Sequence, residues 1–354
     1  MLLSKEALGW SELFESERRS SNVELSQVAR VIAEHRGWYV VHDGEKERWA
    51  QPSASLRKSY TSRGGLRPAV GDWVVLTREA EPLVDSVFSR RSKLSRRAAG
   101  GEVQEQVVGA NVDVVLVLSP IVPPVNIRRL ERFLAMVRDG GARPAIALTK
   151  IDLCDDVAGD VEKVREIAGD AAIFPVCALT GEGVDALQSL LVAASTLALV
   201  GTSGAGKSTL INHWLGGDVL ETREVRDDGK GRHTTTRREM RVLPNGALVI
   251  DTPGVRELAL WDDGEGLEET FPDVDALTTQ CRFTDCSHQA EPGCAVRAAI
   301  ASGEVSEERV AAFMKLRLEQ LHLSRERDAS SRAKHKNELK KIAKSLKAHY
   351  KARR

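Results

Sequence analysis

Apolar and polar positions divide the chain into two patterns. From Ser26 to about Leu94, short apolar runs such as Val28–Ile32 and Trp38–Val41 alternate with turn residues, which predicts a small β-barrel. From Val112 onward, apolar strands alternate with amphipathic helical segments over about a hundred residues. This alternation is typical of a mostly parallel sheet with helices on both faces. Ligands of such sheets bind beyond the carboxyl ends of the strands, so the functional residues are expected there.

The individual elements follow from the same pattern. Strands are predicted at 112–119, 144–148, 173–176, 196–200 and 247–250, and helices around 127–137, 156–168, 184–194, 295–301 and 307–323. Residues 1–25 are rich in Ser and Glu and predict a flexible N-terminal tail, in which Leu8, Trp10, Leu13 and Phe14 are able to dock a short helix. A multidomain α/β protein is expected.

The strand at 196–200 runs into a glycine-rich loop that fits the G-x-x-x-x-G-K-[ST] phosphate-binding motif, with a helix predicted after it. Its backbone N–H groups are able to surround phosphate oxygens, Lys207 brings a positive charge to the β- and γ-phosphates, and Ser208 offers a hydroxyl to Mg²⁺. The residues expected to contact nucleotide are Gly201, Thr202, Ser203, Gly204, Ala205, Gly206, Lys207, Ser208 and Thr209.

Two other strand tips resemble guanine-binding motifs. The first is Thr149-Lys150-Ile151-Asp152, and the second is Cys177-Ala178-Leu179. A carboxylate at 152 accepts hydrogen bonds from guanine N1–H and the 2-amino group, whereas adenine offers neither donor. The Lys150 stem can cover the base, and the Ala178 N–H can reach the guanine carbonyl. GTP is therefore the predicted nucleotide. Two residues depart from the usual motifs. Thr149 stands where Asn is usual, which puts the bracing of that loop in question, and Cys177 stands where Ser is usual.

A D-x-x-G motif, Asp251-Thr252-Pro253-Gly254, follows the strand at 247–250. Asp251 is expected to hold the Mg²⁺ shell, and the Gly254 N–H to contact the γ-phosphate. The residues that these motifs predict as Mg²⁺ ligands are Ser208 and Asp251.

The residue after this motif is Val255, where Ras-like enzymes place a water-orienting glutamine, so slow intrinsic hydrolysis is expected. His233 is the candidate to position water or act as a base. The catalytic residues predicted at this point are His233 and Lys207.

Cys281, Cys286, His288 and Cys294 lie within fourteen residues and match the Cys₃His composition of a structural Zn²⁺ site. Four protein ligands leave no open position for a catalytic water. The total of five cysteines is odd, which argues against a disulfide framework and for reduced thiols or a metal site.

Charge is unevenly distributed although the formal net charge is zero. Basic residues outnumber acids fourteen to eight between 26 and 100, with five in the run 90–97, and this region also carries Trp38, Tyr39, Trp49 and Tyr60. An oligonucleotide-binding (OB) barrel that contacts RNA is favoured over a solvated charged surface with the aromatic residues in the core. Residues 332–354 hold ten Lys/Arg against Glu338, with Leu339, Ile342 and Leu346 on one helical face, and RNA is the favoured partner there as well.

The base-binding motifs precede the phosphate loop and the D-x-x-G motif comes last, which is a circular permutation of the usual order. With a barrel before it and a Cys/His cluster after it, the chain resembles the RsgA (YjeQ-type) ribosome small subunit-dependent GTPases from about Ser26 to about Arg317. The segment Gly229–Thr236 resembles the switch I of that family, where a threonine binds Mg²⁺. The resemblance therefore implies that Thr235, favoured over Thr234, is a third Mg²⁺ ligand and a third catalytic residue. The resemblance implies rRNA binding on the small ribosomal subunit and a role in its late maturation, with GTP favouring the bound form and hydrolysis favouring release.

The expected domains are a tail (1–25), an OB-fold RNA-binding barrel (26–97), a circularly permuted GTPase domain (98–262), a zinc-binding helical domain (263–330) and a basic tail (331–354). No leader and no apolar run near eighteen residues is evident in the sequence, so a cytoplasmic monomer without membrane contact is expected. Two rival functions are a different P-loop enzyme, such as an ATPase or small-molecule kinase, and a non-catalytic GTP-sensing RNA-binding scaffold.

Overall fold

The structure is a computed structural model that describes residues 3–35, 37–62, 65–97, 105–217, 238–251, 265–288 and 291–325. Its first unit is a closed five-stranded barrel: β1 (Val28–His35), β2 (Trp38–His42), β3 (Glu47–Pro52), β4 (Trp73–Leu76) and β5 (Leu83–Val87). Strand β1 pairs antiparallel with both β2 and β4, and β3 runs parallel to β5. This topology confirms the predicted OB-type barrel.

The N-terminal segment differs from the predicted flexible tail. Residues 12–20 form helix α1 (Glu12–Ser20), and Leu8 and Phe14 are buried. The Trp10 ring packs edge-on against Trp73 of the barrel, with ring centroids 4.8 Å apart. A few large apolar side chains among the serines and glutamates are therefore enough to dock the segment, whereas Leu13 stays exposed.

The second unit is a six-stranded sheet with the order β10-β9-β8-β11-β13-β12. Strands β8 (Val114–Pro120), β9 (Arg143–Thr149), β10 (Ala172–Val176), β11 (Thr196–Gly201) and β13 (Leu248–Asp251) are parallel, and β12 (Arg238–Val242) is antiparallel at one edge. The strands of the predicted parallel sheet are all present, and the phosphate-loop strand β11 follows β8, β9 and β10 along the chain. The circularly permuted order is thereby confirmed.

Helices cover this sheet because its strands are apolar on both sides. They are α3 (Ile127–Asp139), α4 (Val157–Ala168) and α5 (Lys207–Leu215), while α2 (Ala54–Ser62) belongs to the barrel. The helix expected near 184–194 is instead a 3₁₀ helix, Val184–Leu190. Asn126 caps α3 by accepting a hydrogen bond from the Arg129 N–H at 3.0 Å.

The barrel and the sheet are joined by hydrogen-bonded strands. Strand β12 pairs with β1, with Glu239 opposite Ala33, so the two sheets continue into one another. The buried guanidinium of Arg30 donates to Thr196 Oγ1 at 2.9 Å, at the start of β11, and to the Leu8 carbonyl of the N-terminal segment. Burial lowers the pKa of Arg30 to about 9.

A short hairpin, β6 (Lys93–Arg97) with β7 (Glu105–Ala110), links the barrel to the sheet and contains most of the predicted basic run. Several of these basic side chains form ion pairs within the chain. Arg90 forms a bidentate pair with buried Asp72 at 2.7 and 2.8 Å, and Lys93 lies 3.0 Å from a Glu105 oxygen. The basic run 90–97 therefore has a structural role that its charge count does not reveal.

The C-terminal region consists of α6 (Glu265–Thr270), α7 (Pro272–Thr278), α8 (Ala295–Ser302) and α9, a helix over residues 307–325. Arg309 of α9 contacts Glu131 of α3 at 2.9 Å and forms a bidentate pair with Asp273. These pairs anchor the last helices on the sheet domain. Within the described ranges, none of the helices is both long and apolar enough to cross a membrane.

Candidate nucleotide site and metal centre

The phosphate loop lies between the end of β11 and the start of α5, where the positive end of the helix dipole faces the loop. Two of its glycines are required by geometry. Gly201 has φ +153°, and a Cβ there would lie 2.5 Å from the Leu118 carbonyl oxygen. Gly206 has φ +94°, in the left-handed region that L side chains rarely adopt. The loop is thus shaped by backbone conformations that only glycine accepts without strain.

Lys207 bends back over this loop. Its Nζ donates hydrogen bonds to the carbonyl oxygens of Gly201 and Thr202, at 2.8 and 2.9 Å. These bonds hold the ammonium group at the mouth of the loop. A phosphate held by the loop would meet a cation that is already positioned, which lowers the entropic cost of ordering the lysine.

Thr149 ties the first base loop to the phosphate loop. Its Oγ1 donates to the carbonyl oxygen of Ala205 at 2.9 Å, and both residues are buried. The replacement of the usual Asn therefore keeps a brace between the two loops, which the sequence left in question. Lys150 follows with φ +63°, and Asp152 is exposed in the 3₁₀ turn Ile151–Leu153. The carboxylate at 152 is thus open to a ligand.

We expect Thr149→Val to weaken GTP binding by about 5- to 150-fold, because the buried Ala205 carbonyl loses its donor, a change of about 1–3 kcal/mol. Equilibrium titration with a fluorescent GTP analogue measures this effect. Thr149→Ser is the matched control, since it keeps the hydroxyl and should bind within about 3-fold of wild type. Unchanged affinity in the valine variant would contradict a bracing role.

The second base loop is closed by its own backbone. The Cys177 N–H donates to the Glu182 carbonyl at 2.8 Å, and the Gly181 N–H donates to the Cys177 carbonyl at 2.9 Å. The Cys177 side chain is buried against Ile121 and Ile151, so the two base loops share a small apolar cluster. A thiol suits that cluster because it behaves as a small hydrophobe. Ala178 is half-buried and Leu179 is 84% exposed at the loop tip.

Asp251 ends β13 directly beside the phosphate-loop strand, opposite Leu199 in the parallel register. Burial raises the pKa of this carboxyl, and the positive charge of Lys207 opposes the rise. A buried carboxylate together with the Ser208 hydroxyl is a hard oxygen donor set, which fits Mg²⁺. Four other predicted site residues, His233, Thr234, Thr235 and Gly254, lie outside the described residues.

The four predicted zinc ligands converge. All four ligand atoms lie within 4.8 Å of one another. The Sγ atoms of Cys281 and Cys294 are 3.9 Å apart, and each is 3.5 Å from His288 Nδ1. Tetrahedral zinc with ordinary bond lengths requires about 3.8 Å between two sulfurs and about 3.6 Å between sulfur and nitrogen. The donor set and its spacing therefore fit a Zn²⁺ ion bound through His288 Nδ1.

The aromatic residues predicted for RNA contact divide into two groups. Tyr39 is buried in the barrel core, and Tyr60 packs against that core. Trp38 and Trp49 are 45% and 56% exposed. The structure therefore places only half of the predicted aromatic set on the surface.

A family model described as RsgA GTPase matches residues 87–261. The chain is 44% identical to the small ribosomal subunit biogenesis GTPase RsgA of Methanosarcina acetivorans, with 82% of this chain and 79% of that protein covered. It is 41% identical to the protein of the same name from Opitutus terrae, with 95% of both chains covered. The crystal structure of YjeQ from Thermotoga maritima matches with a TM-score of 0.58 and 25% identity, over 83% of this chain and 98% of that one.

These similarities extend over the barrel, the permuted sheet and the Cys/His cluster, and they agree with the motifs at the strand tips. The chain belongs to the RsgA GTPase family and is a GTP hydrolase.

Proposed function

We propose that this GTPase binds the small ribosomal subunit through its rRNA and acts in the late maturation of that subunit, in the cytoplasm and as a monomer. The names of its relatives support the subunit as the partner. The observation that carries the nucleotide part is the hydrogen bond from Thr149 to Ala205, because it locks a guanine-reading loop to a phosphate loop. One bound nucleotide would contact both.

In the proposed site, Asp152, Lys150 and Ala178 read the base, and the loop 201–209 holds the phosphates. Lys207 stabilises the charge that develops on the transferred phosphoryl group. Mg²⁺, the metal that the GTPase family uses, would be held by Ser208 and Asp251, together with Thr235. When bound, this ion neutralises phosphate charge. His233 is the proposed group that orients the attacking water, and Cys281, Cys286, His288 and Cys294 hold a structural zinc.

The proposal also includes a cycle in which the GTP form binds the subunit tightly and hydrolysis favours release. Three contacts support a connection between the nucleotide site and the rest of the chain. Strand β13, which ends at Asp251, is paired with β12, and β12 is paired with the barrel strand β1. On the other side, Arg309 ties α9 to Glu131 of α3.

Small ribosomal subunits should accelerate GTP turnover by at least about 10-fold, because the intrinsic reaction lacks the usual glutamine. Phosphate release with and without purified small subunits measures this, with large subunits as the control for non-specific RNA. Lys207→Ala should abolish turnover in both conditions. Turnover that small subunits leave unchanged would instead favour a non-catalytic GTP-sensing scaffold.

The turnover assay with small subunits also tests the role of His233. His233→Ala should lower stimulated turnover by about 100-fold or more if this residue positions water.

Sedimentation with small subunits should show tighter binding with a non-hydrolysable GTP analogue than with GDP. Equal binding in the two nucleotide states would contradict the proposed cycle.

A further inference from the structure

A second carboxylate lies beside Asp251 at the nucleotide end of the sheet. Glu239 of β12 is directly opposite Asp251 of β13 in the antiparallel ladder. Residues opposite one another in such a ladder share one face of the sheet, with Cβ atoms about 4.5–5.5 Å apart. The side chains of Glu239 and Asp251 therefore start from neighbouring points on the same face. None of the sequence motifs includes Glu239.

Packing shows which face of the sheet carries these two carboxylates. Val249 lies two residues before Asp251 on β13, so both side chains point to the same face. Val249 belongs to one apolar cluster with Ala205 of the phosphate loop and Leu210 of α5. Asp251 and Glu239 are therefore on the face of the sheet that carries the phosphate loop and α5.

Two basic side chains act on this pair of carboxylates. The Arg241 guanidinium lies 2.7 Å from Glu239 Oε2, from a position two residues further along β12. Burial raises the pKa of Asp251, and the positive charges of Lys207 and Arg241 oppose this rise. The negative charge of Glu239 adds to the rise in that pKa, so the two carboxylates are close enough to repel each other. Four charged groups thus interact at one end of the sheet.

A bound nucleotide would upset the balance of these charges. In the proposed site Lys207 neutralises phosphate oxygens, so its charge is no longer available to the carboxylates. Asp251 and Glu239 then outnumber Arg241, and the phosphates add more negative charge. Mg²⁺ relieves such an excess, since it binds phosphates together with one or two carboxylates and keeps several water molecules. The Glu239 side chain is 48% exposed and is therefore accessible to a hydrated ion.

We propose that Glu239 is a positioning residue for Mg²⁺, which accepts hydrogen bonds from the water shell of the ion beside the ligands Ser208 and Asp251. The inference rests on the proposed function, because it requires the Mg²⁺ that accompanies GTP in that site. Partners of this kind orient the metal ligands and change metal affinity by about 10- to 100-fold. Arg241 has the opposite effect, because it holds the Glu239 carboxylate and repels a cation.

The test measures metal affinity and not turnover. Mn²⁺ replaces Mg²⁺ and is titrated into the full-length protein saturated with GDP, with free Mn²⁺ quantified by electron paramagnetic resonance. Glu239→Gln should bind Mn²⁺ about 10- to 100-fold more weakly. Arg241→Gln should bind it about 2- to 5-fold more tightly, because the loss of a nearby positive charge favours a cation. The affinity for GDP without divalent metal should stay within about 3-fold of wild type in both variants.

The controls separate a role in metal binding from a role in folding. Glu47→Gln removes an exposed glutamate from the barrel strand β3 and should leave Mn²⁺ affinity unchanged. The proposal is overturned if Glu239→Gln binds Mn²⁺ like the wild type, or if its metal-free GDP affinity falls in parallel, since the site would then be generally disrupted. Weaker Mn²⁺ binding by Arg241→Gln would also overturn it. A wild type that binds GDP but no Mn²⁺ refutes the Mg²⁺ site of the proposed function, whereas a silent Glu239 variant of a metal-binding protein refutes only the role of Glu239.

Discussion

Replacement of Asp152 by asparagine will change the preferred nucleotide from GTP to xanthosine triphosphate. Asp152 is exposed in the 3₁₀ turn that follows β9, three residues after the braced Thr149. In the proposed site its carboxylate accepts two N–H groups from guanine, whereas an asparagine amide would place a donor against the guanine 2-amino group. Xanthine has a carbonyl at that position and accepts the amide N–H instead.

The expected size of this effect is large. Sites built to hydrogen-bond a ligand reject the analogue that leaves their polar groups unpaired by about 10⁴-fold. Competition titrations with GTP, xanthosine triphosphate and ATP, in the presence of Mg²⁺, measure the ratio of affinities. Asp155→Asn, an exposed carboxylate three residues along the chain, is the matched control and should leave GTP preferred. An unchanged preference in the Asp152 variant, or equal binding of ATP by wild type, would refute guanine readout by this residue.

Removal of the proposed zinc ion will unfold the loop around the Cys/His cluster. The four ligands lie on the loop between α7 and α8, and Cys294 is also the residue that caps α8. Structural zinc sites of this kind contribute on the order of 10 kcal/mol, because the unfolded chain has no preformed site. Loss of the ion should therefore unfold the loop that carries the four ligands and the start of α8, while Arg309 keeps α9 in contact with α3.

Metal analysis of the purified protein should find one zinc per chain, and Cys281→Ser should lose it. Circular dichroism melting should show an early transition in that variant and after chelation of the wild type. Cys154→Ser, which changes a half-buried thiol outside the cluster, is the control and should keep both zinc and melting temperature. Wild-type protein without zinc, or a Cys281 variant with full metal content, would contradict the assignment. GTP affinity serves as a separate readout, since the loops at Thr149 and Gly201 do not include the cluster.

The relation between these two sites follows from the order of the elements. The base loops, the phosphate loop and Asp251 all lie at the carboxyl ends of parallel strands, so they converge whatever their order along the chain. The permutation places the C-terminal helices directly after the last of these strands. The contact of α9 with α3 then fixes the zinc region against a helix of the same sheet.

The pattern of residues close in sequence was sufficient to predict several features of this chain. The strands of the permuted sheet, the phosphate loop and the Cys₃His cluster are encoded by short spacings, and the structure confirms the sheet and brings the four zinc ligands together. The closed barrel was also predictable, since its short apolar strands alternate with turns. Such features depend on residues that are close in sequence and on periodicity, which a single chain displays directly.

Only the tertiary structure decided the features that depend on distant partners. Residues 3–25 look like a tail until Trp10 meets Trp73, and the basic run 90–97 looks free until Arg90 meets buried Asp72. The same holds for the brace from Thr149 to Ala205 and for the pairing of β12 with β1. In each case the partner is far away in the chain, and the free energy comes from burial and pairing that no local pattern records. The sequence by itself therefore predicted the chemistry of the strand tips, and the fold decided which side chains are paired within the chain and which are exposed.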